Sequence, residues 1–379
     1  MVTRASPPTT NMTMTWISDG PRHWCQLRTR HRHRSRSPWR PLRDWIDCHR
    51  RLHTRIGAYR TQCTMTPAAG SQGVTAEHRF GGIWTEVKLA AISAYSEFFT
   101  GAIGRKFDLW YIDPFAGTGS RIAEEETGGL FDGGPISTIE RRYPGSAARA
   151  LSIEPPFDHL RFGDTKKSHI KALEELVALH PKRDARVIRE DANTFVQFMF
   201  EHDFWRDPHG RGSRSRALVF LDPYGLEVKW RTLQALAASE KADVWFLANL
   251  KAAVQQLSRD HRKLDADKRR ALGEYFGTDS WEAEFYCEIE DGGLLGMMET
   301  RKERDATKQD VAAFHRQQLC KLFGYVSEPL PLAVGGMDDY FLLYCMSNNK
   351  SPAARALIKK GADWVIQRYK QASRQRCGP

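Results

Sequence analysis

Five short apolar runs recur between residues 106 and 249: "KFDLWYID", "FDHLRFGD", "ARVIRED", "RALVFLD" and "ADVWFLAN". Each has the length of a buried strand. Between them lie "SAARALSI", "KKSHIKALEELVALH", "ANTFVQFMFEHDFW" and "WRTLQALAAS", which read as helices, and "TEVKLAAISAYSEFFTGAI" before the first run spaces its apolar residues at three and four. Strands that alternate with helices pack as a parallel sheet, because parallel neighbours need a crossover and the helix supplies it. After Asn249 the alternation loosens. "LKAAVQQLSRDHRKLDADKRRALGEYFG" reads as charged helix and "QDVAAFHRQQLCKLFGY" as another. "VSEPLPLAV" and "DDYFLLYCMSN" read as an antiparallel pair, and "ARALIKKGADWVIQRYK" as a closing helix. The stretch "EEETGGLFDGGPISTIERRYPG" is full of turn formers and reads as a long loop.

The expected fold is α/β: a Rossmann-like, doubly wound, mostly parallel sheet with a C-terminal antiparallel hairpin and helical insertions. This is the architecture shared by class I S-adenosylmethionine-dependent methyltransferases. Residues 65–379 are expected to form a single domain of this kind, with a helical insertion near 250–310. The carboxyl ends of the first four strands would border the ligand crevice.

The first strand runs into a Gly-rich turn, "LWYIDPFAGTGSR". A phosphate loop would need a Lys in the turn, and there is none. A dinucleotide turn would need a third glycine where Ile122 stands, and an acid about 20 residues on, far short of Asp164. The remaining class places an acid at the strand end and glycines behind it. Asp113 is that acid, Phe115 follows it, and Gly117 and Gly119 lack the Cβ that would keep a ligand off the backbone. A carboxylate there attracts a sulfonium and an amino group. Asp164 after the second strand is placed to accept from ribose hydroxyls, and Asp191 after the third to meet an adenine amine. Both acids also suit a helix start.

The fourth strand ends in "VFLDPYGLEVKW". Amino-methyltransferases carry Asp or Asn, two Pro and an aromatic at this point. The acid accepts hydrogen bonds from the target amine, and the ring stacks on the base. Asp222 and Tyr224 hold those positions, with one Pro instead of two; "DPYG" is equally a β-turn signature.

Taken in order, "HRFGGIWTEVKL", "YIDPFAGTGS", "FLDPYGLEVKW", "YFGTDSW" and "YFLLYCMSNN" resemble the three-Cys-motif partner protein family (TcmP). The resemblance runs from about His78 to the C-terminal helix. It implies a methyltransferase-like protein with S-adenosylmethionine as cofactor and a three-Cys-motif protein as partner. It implies no settled substrate. "DPFAGTGS" more broadly resembles the cofactor turn of nucleic-acid amino-methyltransferases, so a nucleic acid base is the expected acceptor. The missing second Pro departs from those enzymes. The alternative is a non-catalytic, methyltransferase-like scaffold for the three-Cys-motif protein. Trp84, Glu86 and Lys88 lie on the helix that can border the cofactor, although Glu86 and Lys88 equally suit a solvated face.

The net charge of +11 would point to nucleic acid were it spread over the chain. It is not: residues 1–64 hold thirteen Arg, no Lys and three Asp, a net +10. That segment reads as an Arg-rich extension, disordered or not native, with Met65 as the true start. A basic arm and an organelle-targeting peptide are the competing readings. The basic stretches "WRDPHGRGSRSR" and Arg259–Arg270 read as solvated faces, the second because acids are interleaved. No apolar run reaches the ~20 residues of a membrane span. The seven cysteines form no C-x-x-C pair, which leaves a reducing cytoplasmic setting as the default. Cys320 and Cys345 read as small core residues, and no metal site is expected.

Overall fold

A computed structural model of the chain describes residues 83–129, 134–206, 211–292, 298–334 and 337–375. The readings of residues 1–64, Met65 and His78 lie outside them. All described residues fall within one compact unit, Gly57–Pro379.

Helix α1 (Ile83–Ile103) leads into β1 (Asp108–Asp113), followed by β2 (Ser120–Gly129), β3 (Gly134–Pro144) and a short α2 (Ser146–Leu151). Then come β4 (His159–Asp164), α3 (Lys167–Ala178), β5 (Asp184–Arg189), α4 (Ala192–Glu201) and α5 (Asp203–Arg206). The regular half closes with β6 (Ser215–Leu221), α6 (Trp230–Ser239) and β7 (Ala242–Ala248). Next are α7 (Leu250–Gln256), α8 (Ala266–Phe276), α9 (Trp281–Phe285), β8 (Tyr286–Gly292), β9 (Met298–Arg304) and α10 (Lys308–Leu322). The chain finishes with β10 (Tyr325–Val326), β11 (Leu330–Val334), β12 (Met337–Ser347) and α11 (Pro352–Gln375).

The central sheet has the order β10-β12-β7-β6-β1-β4-β5, with β11 also on β12. Strands β5, β4, β1, β6 and β7 are parallel neighbours. Strand β12 runs antiparallel to both β7 and β11, as the late hairpin predicted. The chain builds outward from β1 in two directions, first to β4 and β5, then to β6 and β7. The strand order therefore reverses between β1 and β6, and a crevice opens at their carboxyl ends. Every residue of β7 is buried, in keeping with a run that is apolar except for Asp243, whose carboxylate accepts from the Tyr95 hydroxyl. Strand β5 is the edge and alternates exposed with half-buried residues. Helices α1 and α11 lie so close that a Cβ on Gly361 would stand 2.2 Å from the Phe98 ring. No described helix is long and apolar enough to cross a membrane.

Three expectations are corrected. The predicted loop after the first turn contains an antiparallel ribbon, β2 with β3. Gly128 and Gly129 close the first strand and Gly134 and Pro135 open the second. The charged helix after Asn249 breaks, because Asp260 and Asp265 cap new turns by accepting from the Arg262 and Lys268 N–H groups. The insertion near 250–310 also carries a second ribbon, β8 with β9, so it is helical only in part. Finally, Cys345 is buried but Cys320 is exposed, on the outer side of α10. The interleaved acids do pair with the basic residues beside them, as in Arg262–Asp260 and Arg270–Asp267.

Candidate cofactor and acceptor site

The turn after β1 is fixed by backbone geometry. Gly117 and Gly119 have φ of 61° and 71°, in the left-handed region where glycine alone is unstrained. The Ala116 N–H donates to the Gly163 carbonyl at 3.0 Å, tying the turn to the end of β4. The sequence assigned Gly119 to close ligand approach. The structure gives a packing reason: a Cβ there would stand 2.6 Å from Leu176 and 3.2 Å from Leu173 of α3.

The turn forms one wall of a cavity of about 390 Å³. Phe115, Gly117 and Gly119 line it, and so do Asp222 and Tyr224. Two segments 100 residues apart thus meet at the carboxyl ends of β1 and β6. The opposite wall is aromatic: Trp84 of α1 stacks on Phe341 of β12, with ring centres 4.7 Å apart and planes at 23°.

Asp113 lies fully buried under the turn. Its Oδ1 accepts from the Phe115 N–H at 3.1 Å, whereas Oδ2 has no hydrogen-bond partner among the described residues. Burial raises this carboxyl to about 7; the Ser146 side chain opposes the rise, the Asp222 charge adds to it, and the Phe115 N–H and Lys88 oppose it. The buried Tyr111 hydroxyl, also without a partner, is pushed well above its usual range by burial, then by the Asp113 and Asp222 charges.

Asp222 is held by Lys88. The ammonium donates to both carboxylate oxygens, at 2.8 and 2.6 Å. The Lys88 side chain is only 5% exposed, against 23% for Asp222. The ammonium also stands 4.9 Å from the centre of the Trp84 ring. Lys88 is therefore no solvated-face residue. It sits four and seven residues before the buried Ile92 and Tyr95, on the apolar stripe of α1. A lysine on such a stripe was the signal available in the sequence. Glu86, two residues away, points elsewhere and pairs with Arg149 at 2.7 Å.

The loop after β6 is braced from both sides by residues that the sequence reading did not single out. Asn249, at the end of β7, donates to the Tyr224 carbonyl at 2.8 Å. Asn193 of α4 donates to the Glu227 carbonyl at 2.8 Å and accepts from the Lys229 N–H. Tyr224 is 66% exposed; its phenol is raised by partial burial, then by the charges of Asp222 and Asp164. The field of Asp164 thus reaches this rim, although Asp164 does not line the cavity. Its own oxygens accept from the Lys166 N–H and meet His169 Nδ1 at 2.9 Å. Asp191 lies further off. It caps α4, accepting from the Asn193 and Thr194 N–H groups, and borders a separate hollow with Lys229 and Glu274. Among the described residues no cluster of His, Cys, Asp or Glu could hold a metal ion.

No family model matches the chain, and no curated protein does. Among solved structures it is similar to protein LPL1258 from Legionella pneumophila, of the DUF519 family model, at 13% identity and a TM-score of 0.33. That likeness spans 64% of this chain and 93% of the other, and at this level it assigns no function.

Proposed function

We propose that the protein is an S-adenosylmethionine-dependent methyltransferase acting on an amine, with a nucleic acid base as the acceptor class. One observation carries the reading: Asp222 and Tyr224 line the same cavity as Gly117 and Gly119. The order of five parallel strands with a late antiparallel hairpin supports it, as does the place of the cavity where that order reverses. The residues present suit the cofactor. The cavity volume lies in the range of small-molecule sites. The unpartnered Asp113 Oδ2 is a buried acceptor in need of a donor or a positive charge. Phe115, Gly117 and Gly119 would hold the cofactor, with Asp113 beneath them; Asp164, which does not line the cavity and binds the Lys166 N–H and His169, stays outside it. Asp191, committed to its cap, is left out.

S-adenosylmethionine would supply a methyl group on a sulfonium: the acceptor nitrogen would take it, S-adenosylhomocysteine would leave as a neutral thioether, and the proton lost from the nitrogen would pass to solvent. Asp222 orients that nitrogen by accepting its N–H, and the exposed Tyr224 ring offers a face for the base. Asn249 and Asn193 keep the loop rigid enough for both tasks. Incubation with methyl-labelled S-adenosylmethionine and single-stranded RNA or DNA tests this. Label should enter the nucleic acid, and Asp222→Ala should abolish transfer while cofactor binding persists. Equal transfer by the variant would refute the role of Asp222.

A second reading is a non-catalytic, methyltransferase-like partner of a three-Cys-motif protein. It draws support from Lys88, which already takes both Asp222 oxygens. Co-purification with such a protein, without methyl transfer to any nucleic acid, would favour it.

A further inference from the structure

We infer that Lys88 is a positioning residue whose ammonium occupies the seat on Asp222 that the acceptor amine takes, so that the Lys88–Asp222 pair gates the acceptor site. This rests on the proposed methyltransferase reading and adds a residue to it. The geometry is that of an amine held by the catalytic loop: Lys88 Nζ lies 2.8 and 2.6 Å from the two Asp222 oxygens, on the wall of the cavity that the glycine turn also lines. An acceptor nitrogen must reach at least one of those oxygens. A carboxylate has about four lone-pair sites, so a slide of Lys88 off one oxygen admits it without breaking the pair.

Stability alone does not explain the arrangement. Apolar side chains often replace a buried ion pair without loss, and the α1 stripe around Lys88 is otherwise suited to one. The charges point to the reacting centre instead. The charges of both Asp222 and Lys88 reach the buried Asp113 behind the turn. With Lys88 present, the Asp222 carboxylate on the cavity wall has its cation; without it, that carboxylate faces the cavity uncompensated, and the buried Asp113 loses a nearby positive charge as well. A sulfonium beside them would then be held more tightly. S-adenosylhomocysteine, which lacks the charge on sulfur, would gain nothing.

The ratio of dissociation constants for S-adenosylhomocysteine and S-adenosylmethionine therefore reads the field at the seat. Isothermal titration of both ligands against the full chain gives it. Lys88→Met should raise the ratio about tenfold in favour of the sulfonium, and Lys88→Arg should stay within about twofold of wild type. Asp222→Asn, which reads the same pair from its other side, should lower the ratio, and serves if Lys88→Met does not fold. Methylammonium added to Lys88→Ala should refill the seat and return the ratio toward wild type. An unchanged ratio in Lys88→Met or, failing that, in Asp222→Asn would overturn the inference and leave the methyltransferase reading standing. A shift that methylammonium cannot reverse would show that the seat does not accept an amine. Failure of both ligands to bind the folded wild type would instead overturn the methyltransferase reading itself.

Discussion

Asp113 and Asp243 are both buried acids at the edges of the same sheet core, yet the protein treats them differently. Asp243, at the start of β7, accepts a hydrogen bond from the Tyr95 hydroxyl at 2.9 Å. Burial raises it to about 6, while the Tyr95 and Ser347 hydroxyls and the Arg216 charge hold it down. Asp113, at the end of β1, is raised to about 7, keeps one oxygen without a partner and has a second acid, Asp222, in its field. Asp243 is surrounded by donors within the fold. Asp113 has the Phe115 N–H on one oxygen and the Ser146 side chain nearby, but its other oxygen makes no hydrogen bond among the described residues. An acid that the fold satisfies reads as architecture; an acid that it leaves short reads as a site prepared for something else.

The contrast can be broken first through pH. A buried acid with a raised pKa takes up a proton on folding, so stability falls as pH rises from near 4, its unfolded value, to its folded value. For Asp113 that window runs to about 7. Asp113→Asn should remove the fall. By urea unfolding it should be about 3 kcal/mol more stable than wild type at pH 8 and no more stable at pH 4. Asp243→Asn should gain less, about 1–2 kcal/mol, since it also weakens the Tyr95 bond. Equal gains would erase the distinction.

Asp222→Ala should cost about 2–3 kcal/mol, because it leaves the Lys88 ammonium buried without its partner. Tyr224→Ala, at an exposed ring on the same loop, should stay within about 0.5 kcal/mol in the same urea titration. Gly119→Ala should cost about 1–2 kcal/mol in thermal unfolding, through its positive φ and the contact with Leu176. Asp191→Ala should cost about 1 kcal/mol through loss of the α4 cap and leave S-adenosylmethionine affinity unchanged. A loss of affinity there would return Asp191 to the site.

The parallel strands were legible because strands covered on both faces are near-continuous apolar runs, as "ALVFL" and "VWFLA" are. The β2–β3 ribbon was not, because "EEETGG" and its flanking turn formers carry no apolar run or alternation to mark a strand. The glycine turn and Asp222 could be found in advance because left-handed backbone and strand-end acids restrict residue choice. Which acids converge could not: Asp164 and Asp191 occupy equivalent strand ends, and only the packing of α3 and α4 commits their oxygens to His169 and to a helix cap. Lys88 was hidden by its neighbour Glu86, which made a buried cation look like half of a charged surface pair. Asn249 and Asn193 are invisible for a simpler reason: bracing a loop through its carbonyls leaves no pattern in the sequence.

The central claim is that the cavity between the glycine turn and Asp222 is a sulfonium-nucleoside site. Isothermal titration of the full chain with S-adenosylmethionine, wild type beside Asp113→Ala, addresses it most directly. Wild type should bind one-to-one, and a folded Asp113→Ala variant should lose binding or weaken at least about tenfold. No heat of binding from folded wild type, or equal affinity in the variant, would contradict it.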